Sequence, residues 1–169
     1  LQSVERSPDA VAIVDGELRL GYADWSMRIG AAVAGLKALG LKRGDHLLVV
    51  MQNRWEMATL HWAAQFAGIV VTPLNWRAKA AEIDYCLKDA DARAIAYEPG
   101  IEAVIAQSTL AARIARITIR SAGAGAGAGG GTVGKLNAAS FDEWMARPQA
   151  PIPEADAQDL SLMLYTSGT

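Results

Sequence analysis

The sequence predicts an α/β protein in which an N-terminal β-hairpin precedes a parallel, helix-covered sheet. Three observations lead there. Short apolar runs alternate with helix-length segments, the pattern of βαβ crossovers. One run, HLLVVM from His46 to Met51, is apolar nearly throughout, as in a strand covered on both faces. Ahead of it, VAIVDGELRLGY (Val11 to Tyr22) sets Asp15-Gly16 between two apolar-rich runs. That is a hairpin signal, because a type I′ turn needs positive φ that Gly tolerates and Asp permits.

The elements follow in order. After the hairpin, Trp25, Ile29, Val33, Leu36 and Leu39 recur at helical spacing, with Asp24 in the first turn. Gly40 stands where a left-handed C-terminal residue is wanted. The polar turn KRGD (Lys42 to Asp45) feeds the strand at His46. Trp55 to Ala67 reads as a helix closed by Gly68, and Ile69 to Thr72 as a short buried strand that Pro73 can stop. Ala78 to Lys88 is a helix with Ile83 and Leu87 on one face, and Arg93 to Tyr97 a strand ended by Pro99-Gly100. A helix is expected over Ile101 to Ala115, a strand over Arg116 to Ile119, and a short helix over Phe141 to Met145. The tract SAGAGAGAGGGTVG, residues 121–134, has little to bury and high backbone entropy, so it reads as a mobile loop. A Pro-rich connector (Pro148 to Asp159) then leads to LSLMLY, Leu160 to Tyr165, expected as the last buried strand.

Composition narrows the function classes. With 169 residues, 51% apolar and 20% charged, the chain suits one soluble domain with a real core. A net charge of −2 argues against a nucleic-acid partner, which usually needs a basic surface. Cys86 is the only cysteine and His46 and His61 stand far apart, so neither a disulfide nor a zinc spacing is available. The opening LQSVERSPDA carries no basic-then-apolar signal pattern, and the stretch Met57 to Leu74 is too interrupted for a membrane span. A cytoplasmic protein is expected.

Several motifs admit a structural explanation. GGGTVGK, Gly129 to Lys135, has P-loop spacing, but Leu136 follows the Lys where a magnesium-binding hydroxyl is needed, and no strand directly precedes it. Trp55, Trp62, Trp76, His61 and Met57 could line an aromatic pocket, although core or interface packing explains them as well. Glu82 and Asp84 read as the polar side of their helix, and no Ser-His-Asp arrangement can be assembled. TSGT, Thr166 to Thr169, differs because of its context. It follows an apolar strand, Gly168 can take positive φ, and the hydroxyls of Thr166, Ser167 and Thr169 join backbone N–H groups as donors to an anion. Ligands of open α/β sheets also favour the carboxyl ends of strands.

The order of these segments resembles the adenylate-forming (AMP-binding) enzymes: acyl-CoA synthetases, peptide-synthetase adenylation domains and firefly luciferase. In that family Met-Leu-Tyr-Thr-Ser-Gly-Thr is typically followed by Thr-Gly-x-Pro-Lys-Gly. This chain holds Met163 to Thr169 of that pattern. The segment from Ala38 to Tyr97 resembles the family throughout, and Tyr22 stands where its Thr-Tyr-x-Glu-Leu segment has Tyr, with Gly21 and Trp25 departing from it. TPLNWR, Thr72 to Arg77, looks closer to acyl- or aryl-CoA ligases than to amino-acid-activating domains, which carry Pro-Leu-Asp.

The resemblance implies an acyl-CoA synthetase or fatty-acid–CoA ligase, which joins a carboxylic acid to CoA using ATP and Mg2+. It places Thr166, Ser167, Gly168 and Thr169 on the ATP phosphates and assigns no catalytic or metal-binding residue within 1–169. The chain is expected to be the incomplete N-terminal part, one lobe, of the larger AMP-binding domain, with the remaining lobes absent. Alone it is expected to be inactive, and to self-associate through apolar surface that other lobes would cover. A stand-alone phosphate-binding module using the Gly/Ala loop, or a non-catalytic interaction domain, are the alternatives.

Overall fold

The computed structural model describes residues 2–119, 138–147 and 152–166. The expected α/β architecture is present: a two-stranded antiparallel hairpin beside a five-stranded parallel sheet with helices on both faces. A short helix α1 (Gln2–Arg6) precedes the hairpin strands β1 (Val11–Asp15) and β2 (Leu18–Gly21). Asp15 pairs with Leu18, so the central turn residues are Gly16 and Glu17, and only Gly16 has positive φ, at 56°. The turn is therefore not type I′; a single positive φ at the first central glycine is the pattern of type II′. Asp15, left on the strand, accepts a 3.0 Å hydrogen bond from the Trp55 N–H. One carboxylate thus ends the hairpin and caps the helix that begins at Trp55.

Helix α2 (Tyr22–Ala38) carries Ile29, Val33 and Leu36 into the core, and Gly40 follows it with φ of 87°. A Cβ on Gly35 would lie inside the indole of Trp144, so this glycine sets how closely α2 approaches α6 (Phe141–Met145). Strand β3 (His46–Val50) leads through α3 (Trp55–Ala67), closed by left-handed Gly68, to β4 (Val70–Leu74). Helix α4 (Ala80–Asp89) then leads to β5 (Ala92–Tyr97), α5 (Glu102–Ile105), β6 (Ala115–Thr118) and β7 (Ala138–Ser140). The strand order is β4-β3-β5-β6-β7. Alternation along β3 divides the core. Leu47 and Val49 pack with α2, α3 and α6, whereas Leu48 and Val50 pack with α4 and α5.

Three expectations need correction. Pro73 does not stop β4; it pairs opposite Val49 inside the ladder. β4 is the last named strand on its side of the sheet, and alternation turns the backbone of residues 71 and 73 away from β3, so the ladder to β3 loses nothing. The helix expected over Ile101 to Ala115 is broken. Only α5 and 3₁₀ turns at Pro99–Ile101 and Ala111–Arg113 form. The Asp84 carboxylate accepts hydrogen bonds from the hydroxyls of Ser108 (2.5 Å) and Thr109 (3.0 Å) and from the N–H groups of Thr109 (3.2 Å) and Leu110 (3.1 Å). Backbone donors engaged this way are lost to a helix. Thirdly, LSLMLY is not a buried strand. It touches the sheet through one parallel bridge, Val71 to Leu162, and Leu160, Leu162 and Leu164 are 74%, 44% and 62% exposed. The loop expected at 121–134, and the P-loop-like spacing within it, lie outside the described residues.

Candidate functional site

The site begins where residues 159–166 pass the edge of the sheet beside β4. Arg43 forms ion pairs with Asp159 and, at 3.8 Å, with Asp156, which holds the start of the segment near the turn before β3. Val71 then donates its N–H to the Ser161 carbonyl (3.0 Å) and accepts from the Met163 N–H (2.9 Å). The Ser161 hydroxyl donates to Gln65 of α3 at 2.5 Å. Since Leu162 lies beside Val71 in parallel register, Tyr165 comes level with Leu74 at the carboxyl end of β4. Thr166 follows it, exposed.

A cleft of about 440 Å³ opens there, lined by Leu74, Ala81, Glu82, Tyr85, Cys86, Tyr165 and Thr166. Tyr85 and Tyr165 meet edge to face with centroids 6.0 Å apart, and the Tyr165 hydroxyl donates to Asp89 at 2.7 Å. Burial, then the hydrogen bond and charge of Asp89, push the Tyr165 phenol well above the usual tyrosine range, so it stays a donor. Burial, followed by the carboxylates of Asp89 and Glu82, also raises the Cys86 thiol. A thiol held protonated beside two acids is no nucleophile.

Of the expected phosphate-binding residues, Thr166 is placed in this cleft at the carboxyl edge of the sheet; Ser167, Gly168 and Thr169 lie outside the described residues. The strand order reverses between β3 and β5, where open α/β sheets usually bind ligands. That crevice is spanned by a 3.2 Å hydrogen bond from Gln52 to Glu98, and Thr166 sits beyond β4 instead. Sequence reasoning missed Tyr85 and Asp89, although Glu82, Tyr85, Cys86 and Asp89 recur at the spacing of one helix face and could have been found by it.

The aromatic residues separate into two places. Trp55, Met57, His61 and Trp62 line a second cleft, of about 460 Å³, with Ile13, Val14 and Asp15 of the hairpin. Trp55 also packs edge-on against Phe141 at 5.6 Å, and the Trp62 ring lies tilted beside Phe66 at 6.1 Å. Burial lowers the His61 imidazole, favouring its neutral form. Trp76 stands elsewhere, beneath the Arg77 guanidinium at 4.2 Å. Among the described residues no cluster of His, Cys, Asp or Glu is placed to hold a metal, and no helix is long and apolar enough to cross a membrane.

A hairpin beside a parallel sheet with helices on both faces, with Thr166 in a cleft at the sheet's carboxyl edge, describes an α/β lobe. The chain belongs to the AMP-binding enzyme family, whose model matches residues 1–169. It is 29% identical over 163 residues to a feruloyl-CoA synthase of an Amycolatopsis species, covering 96% of this chain and 29% of the relative. Among solved structures it resembles a Mycobacterium tuberculosis fatty acyl CoA synthetase, with TM-score 0.76 and 25% identity over 98% of this chain and 31% of that one. Apo MatB from Rhodopseudomonas palustris gives TM-score 0.77 and 28% identity over 96% of this chain and 30% of that one. The chain thus spans less than a third of the length of these relatives.

Proposed function

We propose that residues 1–169 form one lobe of an ATP-dependent acid–thiol ligase, with Thr166 to Thr169 opening the loop that binds the ATP phosphates. The family match along the whole chain carries this reading. The delivery of Thr166 to a cleft at the carboxyl edge of the sheet supports it. In such a reaction a substrate carboxylate attacks the α-phosphate of ATP, pyrophosphate leaves, and the CoA thiol displaces AMP from the acyl-adenylate to give a thioester. The first step brings an anion up to a polyphosphate, so prearranged N–H and O–H donors lower its barrier. The hydroxyls of Thr166, Ser167 and Thr169 are suited to that task. Among the described residues no group of three or more His, Cys, Asp or Glu is placed to hold a metal, so no Mg2+ ligand is assigned to this lobe. The candidate substrates are aryl-bearing and fatty acids, as the names of a feruloyl-CoA synthase and a long-chain-fatty-acid–CoA ligase among the relatives suggest. The face bearing Leu160, Leu162 and Leu164 is where another lobe, or a second copy of the isolated chain, would pack.

The test is ATP–pyrophosphate exchange against a panel of aryl, short-chain and long-chain acids. The complete protein should show acid-dependent exchange and residues 1–169 alone should show none. Exchange by the 169 residues, or none by the complete protein with any acid, would overturn the reading.

A further inference from the structure

The segment that carries Thr166 is anchored unevenly. Up to Met163 it is held by Arg43, by both backbone groups of Val71 and by Gln65. In a parallel ladder a residue directs its N–H and C=O to the same side, and the next residue but one repeats that direction. Pro73 therefore faces the segment just as Val71 does, and it has no N–H to give the Met163 carbonyl. Past Met163 the hydroxyl of Tyr165 on Asp89 is the only hydrogen bond that ties the segment down among the described residues. Asp89 is well placed to serve as an anchor. Its helix is fixed by the buried side chains of Ile83, Cys86 and Leu87, by Glu82 accepting the Lys79 N–H at 2.7 Å, and by the four bonds of Asp84 to residues 108–110.

We propose that Tyr165 and Asp89 form a latch that positions the chain at Thr166 for the ATP phosphates, in place of the ladder bond that Pro73 cannot make. Tyr165 acts through its neighbour, so it is a positioning residue and not a catalytic one. The latch rests on the ligase reading above. It makes ATP binding, not acid binding, sensitive to a hydroxyl on the sheet edge. One hydrogen bond to a charged acceptor is worth about tenfold or more in binding when it is lost.

The experiment measures KM for ATP and for the acid separately, by pyrophosphate exchange with the complete protein. Tyr165→Phe and Asp89→Ala should each raise KM for ATP about tenfold while KM for the acid stays within about twofold. The double variant should be no worse than either single, because both remove one bond. Asp89→Asn, whose neutral amide oxygen still accepts from the phenol, should raise KM for ATP less than Asp89→Ala does. Pro73→Ala in the Tyr165→Phe background should recover part of it by restoring the ladder donor. Unchanged KM for ATP in both single variants, a joint rise of both KM values, or single effects that multiply in the double variant would each overturn the latch. A wild-type protein without exchange on any acid would instead overturn the ligase reading, and the latch's role with it.

Discussion

Two apolar runs of nearly the same length, HLLVV at 46–50 and LSLMLY at 160–165, end in opposite situations. In the first, Leu47, Leu48 and Val50 are fully buried, with β4 and β5 paired on either side and helices above and below. The second has one bridge to Val71, and every other residue along it faces outward. Hydrophobicity alone does not separate them. What separates them is how many neighbours can offer backbone groups. β3 has a full ladder on each side, whereas the edge segment meets a strand whose second outward-facing donor is missing at Pro73.

The largest test of this contrast is a pair of truncations. Leu48→Ala should cost about 3 kcal/mol in urea unfolding, since it leaves a cavity between β3, α4 and α5. Leu162→Ala, at a side chain 44% exposed, should cost less than about 1 kcal/mol. Equal costs would mean that the edge segment is as deeply packed as β3. Next comes Asp84, a helix-surface acid that holds a loop in place. Burial tends to raise its carboxyl, but the bonds from Ser108, Leu110 and Thr109 outweigh this and hold it below the usual range. Asp84→Ala should cost about 2 kcal/mol near neutral pH by leaving those donors unmet. A depressed carboxyl contributes stability above its ordinary pKa and loses it as pH falls through the folded value, so the deficit should shrink in acid. A pH-independent deficit would contradict this.

The smallest effect is expected at Glu56 of α3, 1% exposed, where one carboxylate oxygen pairs with Arg54 at 3.4 Å and the other has no hydrogen bond. Burial raises its carboxyl above the ordinary 4.5, against the lowering pull of a backbone bond and Arg54. A raised carboxyl binds its proton more tightly in the folded state. Its contribution is therefore fully present below 4.5 and is lost as pH rises through the folded value. Glu56→Gln should gain about 1 kcal/mol over wild type at pH 8 and almost nothing at pH 4, read from thermal melts at the two pH values. A gain that is the same at both would show that ionisation of Glu56 costs nothing.

Local chemistry made much of the fold legible. The Asp15-Gly16 hairpin, Gly40 and Gly68 closing α2 and α3, and the unbroken apolar run of β3 all depend on φ preference or periodicity within a few residues. The failures arose where a distant group competed with a local preference. Residues 101–115 have a helical pattern, yet Asp84, some 25 positions upstream, takes the backbone donors of Thr109 and Leu110. β7 at Ala138–Ser140 has no pattern of its own and exists because β6 offers it an edge. At the candidate site, the sequence singled out Thr166 through its small and hydroxyl neighbours and set Tyr85 and Asp89 on one helix face, but not their roles, which require α4 to lie against the edge segment.

By itself, then, the sequence determined the α/β class and the order of the elements from β1 to β5, because these follow from periodicity and conformational preference along the chain. Tertiary structure alone decided which apolar runs are buried, where a helix is broken, and that the Tyr165 phenol meets a carboxylate 76 residues away. Such contacts are settled by which surfaces meet in space, and neither spacing nor propensity encodes that meeting.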